Sequence, residues 1–167
     1  ILLLSEHFFQ SGNCMKNATA WTQKLQELNL LFPIVVPSVV VNNKTKQQTE
    51  KPTSFTKVSD AIRYMKYWQD NYLDLRSQRR TTTGDGREKL EEKISITKAA
   101  STEIGDFIRY LKSLDTHELQ TLQKSGYAAL FDFTNDSVNK ITYATKNGIQ
   151  PPIETPPVSA AKDTSAE

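Results

Sequence analysis

Apolar positions recur every three or four residues along most of the chain, and one stretch breaks that rhythm. Trp21, Leu25 and Leu28 stand at spacings of four and three, which predicts a first helix over about residues 14–30. Val58, Ile62, Met65, Trp68, Tyr72 and Leu75 form the clearest stripe and predict a second helix over about residues 56–80. Lys57, Arg63, Lys66, Asp70 and Asp74 take its other faces. Tyr64 and Tyr67 fall off the stripe, which puts them at the helix surface. The loop "TTTGDG" follows, with two glycines in three residues. Leu90, Ile94, Thr97, Ser101, Ile104, Ile108 and Leu111 then mark a third helix, which Asp85 and Glu88 open with the spacing of a capping box. Asp115 and Glu118 repeat that device ahead of a fourth helix carrying Leu119, Leu122, Gly126, Ala129, Leu130 and Phe133. It continues through Val138 and Ile141 unless "TNDS" at 134–137 divides it, and Gly148 is its expected stop.

The break is "LFPIVVPSVVVNNKTK" at 31–46, where Ile34, Val35, Val36, Val39, Val40 and Val41 crowd around Pro33 and Pro37. β-branched residues suit an extended path, and proline both removes a donor and biases its predecessor away from helix. The expectation is an all-α fold: a four-helix, up-down bundle over residues 1–147. A long extended crossover at 31–55 joins its first two helices. Residues 148–167 hold four prolines and few large apolar side chains, so a flexible proline-rich tail is expected there. Left in solvent, the valine run is an aggregation hazard, so it packs on its own bundle or docks on another subunit.

Composition narrows the function classes only slightly. The chain has 167 residues, 37% hydrophobic and 24% charged, with a formal charge of +2, which supports a core and demands no anionic partner. One cysteine, Cys14, excludes an internal disulfide, and with only His7 and His117 beside it a structural zinc site lacks ligands. "ILLLSEHFF" is too short for a transmembrane segment and lacks the flanks of a signal peptide. A start at Ile1 fits a processed form or a fragment, so localisation is unreadable.

The search for chemistry finds none that converges. "TTTGDGREK" lacks the spacing and the Lys-Ser/Thr ending of a phosphate-binding loop. No Glu-x-x-His pair and no Gly-x-Ser-x-Gly elbow is present. His117 is placed in the first turn of the fourth helix. No catalytic residue, cofactor or metal is assigned, and the chain is read as a non-enzyme. Two groups remain as interaction candidates. Arg76, Arg79, Arg80 and Arg87 cluster around one loop and offer phosphate contacts, against the repulsion of Glu88, Glu91 and Glu92. Tyr64 and Tyr67, with the valine run, offer a protein-contact surface. The expected function is an accessory or structural subunit docking with other protein subunits of an assembly. The alternatives are a coat-type protein binding nucleic acid through its arginines, and a secreted helical ligand or effector.

Overall fold

The apolar run at the start of the chain is a strand. In the computed structural model, which describes residues 1–28, 30–41, 48–84 and 86–149, Leu2–Leu4 form β1 and Pro33–Val35 form β2. The two run parallel with Leu3 opposite Ile34, and a short third strand, β5 (His117–Glu118), joins the other side of β2 in parallel. Leu2 N donates to Phe32 O and Val36 N to Leu4 O, each at 2.9 Å, which extends the ladder at both ends. Pro33 takes the first position of β2, where a missing N–H is tolerated. Parallel neighbours need a crossover. Here it is helical, supplied by α1 (Glu6–Gln10) and α2 (Gly12–Leu28).

The all-α expectation is therefore corrected: the chain is mostly helical with a small sheet. Half of the valine-rich stretch is the middle strand of that sheet, not a crossover. The other half, β3 (Ser38–Val41), pairs antiparallel with β4 (Gln48–Lys51) as a hairpin.

Two long helices follow, α3 (Val58–Arg79) and α4 (Gly86–Ser113), close to their predicted limits. Asp60 closes the first turn of α3 by accepting from Lys57 N at 3.1 Å and from Ser54 Oγ at 2.6 Å. Lys57 carries only side-chain donors, so the reciprocal bond of a capping box is absent. The predicted stripe of α4 is its core face: Leu90, Ile94, Thr97, Ile104, Ile108 and Leu111 are buried, joined by Ala100 and Phe107. Asp85, the expected cap, lies outside the described residues.

The inward faces of α2 and α3 differ from expectation. On α2 the buried residues among those described are Met15, Ala18 and Thr22, whereas Trp21 is 63% exposed; the side chains of Leu25 and Leu28 lie outside the described residues. Small residues let α2 approach α4, and at Gly12 an added Cβ would stand 3.2 Å from Ile96 Cγ2. On α3 the buried residues are Tyr64 and Trp68. Both are held by α1: Phe9 packs on Tyr64 with ring centroids 4.6 Å apart, and Phe9 O accepts from Trp68 Nε1 at 2.9 Å. Phe9, Phe55, Tyr64 and Trp68 with Leu4, Met15 and the α4 face make up the core. A five-residue helix thus supplies its centre.

The expected fourth rod is three short helices, α5 (Leu119–Lys124), α6 (Ala128–Phe133) and α7 (Ser137–Lys146). Gly126, Tyr127 and Asn135 adopt φ of 62°, 59° and 54°, and those left-handed residues end one helix before the next begins. The chain divides into two units, Ile1–Leu122 and Gln123–Glu167. In the second, Tyr143 meets Tyr127 edge-on at 5.6 Å and Lys140 Nζ pairs with Asp132 at 2.6 Å. Gly148 ends α7 as predicted: with its φ at 62°, Gly148 N donates to Thr145 O and Ile149 N to Ala144 O. Of the expected tail, residues 150–167 lie outside the described residues.

Candidate functional site

The hairpin is pinned at its base and exposed at Val39 and along β4 (Gln48–Lys51). Glu6 N donates to Ser38 Oγ at 2.8 Å and to Thr53 Oγ1 at 3.1 Å, and Thr53 Oγ1 donates to Val36 O at 2.7 Å. These bonds fix where the chain enters β3 and leaves β4. Beyond them, every residue of β4 is exposed, and Val39 on β3 is 57% exposed. Among the described residues, β3 and β4 pair only with each other. Each therefore keeps an outer edge of backbone N–H and C=O groups open to a further strand.

Glu6 is also the centre of a polar network behind the hairpin. Its carboxylate accepts from Arg63 Nη1 and Tyr64 Oη, both at 2.6 Å, and from Gln10 Nε2 at 3.1 Å. Arg63 and Tyr64 both reach Ser54 O at 3.3 Å, and the Arg63 guanidinium lies 4.6 Å over the Tyr64 ring. Burial, and then the Glu6 acceptor in front of it, pushes the Tyr64 hydroxyl well above the ordinary tyrosine range. Donors and acceptors are matched throughout, so the arrangement holds α1, α3 and the residues after β4 together.

The predicted interaction residues are scattered over three environments. Ile34 is buried at 5% exposure, Val35 and Val36 are half-buried, and Val39 is exposed. Val40 and Val41 lie in β3, but their side chains fall outside what the structure describes. Tyr64 is fully buried, which overturns its expected surface placement; the ring fills the space beside Phe9 and its hydroxyl serves Glu6. Tyr67 is half-buried and donates to Gln10 O at 3.3 Å.

The four arginines are exposed, and three of them already have partners. Arg79 Nε lies 2.5 Å and Arg87 Nε 4.0 Å from the same Glu91 oxygen, and Arg76 sits 5.7 Å over the Tyr72 ring. Arg80 is the C-cap residue of α3. His117 belongs to β5, not to a helix, and its ring stacks on Phe32 at 4.4 Å. The helix begins only at Leu119, and the two-residue strand before it leaves no pattern of its own in the sequence.

Sequence reasoning missed one surface outright. Val58, Ile62, Met65 and Leu73 are 72%, 58%, 44% and 54% exposed, and their spacing places them on one face of α3. Val58, Ile62 and Met65 belong to the predicted stripe, which the structure leaves outside the core. The competing signal was Tyr64 with Trp68, one turn apart and bulkier, and it is this pair that the core takes.

Comparison of the chain with family models, with curated proteins and with solved structures finds no match in any of the three. Among the described residues, no helix is long and apolar enough to cross a membrane.

Proposed function

We propose that this protein is a non-enzymatic accessory or structural subunit that docks on other proteins through the β3–β4 hairpin, with the exposed face of α3 as a second contact. The observation that carries this reading is the hairpin itself, seated at Glu6, Ser38 and Thr53 yet, among the described residues, unpaired along both outer edges. A two-stranded ribbon is marginal alone in water. A partner strand added to an edge satisfies its backbone groups and covers Val39. The α3 stripe adds exposed apolar surface.

The test is a pair of lysine substitutions at exposed positions, Val39→Lys and Ile62→Lys, in the full chain. Native complexes are isolated through a tag on each variant and compared by the stoichiometry of the protein partner. Loss of the partner from a normally folded Val39→Lys variant supports the reading. Retention by both variants overturns it.

A further inference from the structure

Beyond the docking surface, the cleft at the start of α2 has the features of a small-molecule site. It is an open cleft of about 540 Å³ between the α1–α2 junction, α3 and α4. Its walls include Tyr67 and Trp68, whose rings meet edge-on at 5.4 Å, and no Asp or Glu lines it.

Three donor features of that cleft lack acceptors among the described residues. The first is the open end of a 17-residue helix: Met15 N bonds Ser11 O and Cys14 N reaches Ser11 Oγ, while the Gly12 and Asn13 amides bond nothing among the described residues. The second is Lys93, exposed and without an ion-pair partner among the described residues. The third is Thr97, one turn from Lys93 on the same face of α4 and only 6% exposed. Thr19, Thr22, Thr102, Thr142 and Thr145 each turn their hydroxyl back onto the carbonyl four residues earlier. Thr97 makes no such bond. No fully sealed side-chain oxygen among the described residues lacks a partner, so the Thr97 hydroxyl keeps contact with solvent, and the residue lines the cleft.

A positive helix end, an unpaired ammonium and a nearly buried free hydroxyl, with no carboxylate to answer them, call for an anion. The aromatic wall calls for an apolar body behind it. We infer that this cleft binds a small molecule carrying one oxyanion, a carboxylate or a phosphate monoester, on an apolar ring.

The experiment uses the full chain with Trp21→Phe, which leaves Trp68 as the single indole because the chain has two tryptophans. Phenyl phosphate, phenylacetate and neutral benzyl alcohol are titrated while Trp68 emission is followed. Thr97→Val keeps the shape and removes the hydroxyl; Lys93→Met removes the charge at an exposed position. Saturable binding of at least one anion is expected, about tenfold weaker in each variant and with benzyl alcohol weaker still. Which anion saturates identifies the phosphate or the carboxylate form. The inference is overturned if neither anion gives a saturable response on protein shown to be folded by circular dichroism. It is equally overturned by unchanged affinity in either folded variant, or by benzyl alcohol binding as tightly as the anions.

Discussion

Replacing Tyr64 with phenylalanine removes one oxygen from a ring that is 0% exposed and leaves its packing on Phe9 in place. The lost hydroxyl donates to Glu6 Oε2 at 2.6 Å and reaches Ser54 O at 3.3 Å. A hydrogen bond to a charged acceptor contributes about 1.5–3 kcal/mol, and a neutral one about 1 kcal/mol. Arg63 and Gln10 still bind Glu6 Oε1, but Oε2 loses its donor, so the loss is at least that of the charged bond, about 2 kcal/mol. Urea unfolding at neutral pH reads this as a lower midpoint with an unchanged slope. A surface tyrosine would shift stability by no more than about 0.5 kcal/mol, and a shift that small would refute the network. Alkaline pH gives a second check. Tyr64 holds its proton in the fold above the ordinary value of 10.0, while the unfolded chain releases it. The wild-type chain therefore loses stability as pH rises past that value, and the gap to Tyr64→Phe narrows there.

Asp60→Ala should cost about 1 kcal/mol by freeing Lys57 N and Ser54 Oγ at the start of α3. The Ser54 hydroxyl, more than any other contact, holds the Asp60 carboxyl below its ordinary value of 3.8. That contribution is present above pH 3.8 and fades as pH falls through the folded value, so acid titration of stability should bring mutant and wild type together. Gly126→Ala puts a Cβ 2.7 Å from Ile149 Cδ1 on a backbone with φ at 62°. It should cost at least about 1–2 kcal/mol, read as faster amide exchange in α6 and α7; unaltered exchange would contradict the turn. Val39→Lys should leave the unfolding free energy within about 0.5 kcal/mol of wild type, since the residue is exposed, and a larger loss would mean that Val39 is packed.

The long helices were legible because each repeats its period many times: α3 and α4 begin and end near the predicted limits, and Gly148 stops α7. The sheet was not, since β1 has three residues and β5 two, too few to display a period of two. Its pairing joins residues about thirty and eighty positions apart, which no local pattern encodes. The face of α3 was misread for a related reason. Two overlapping apolar stripes were available, and the choice between them rests on Phe9 and Glu6, more than fifty residues upstream. Of the candidate site, the exposed part of the valine run was readable from composition. The seating of the hairpin on Glu6, Ser38 and Thr53 was not, because those residues meet only in the fold.

The docking proposal is tested most directly by amide hydrogen exchange on the full chain, alone and in its native complex. Slowed exchange across Ser38–Val41 and Gln48–Lys51 on partner binding is the result it predicts. Unchanged exchange in both strands, with protection confined to other segments or absent, would contradict it.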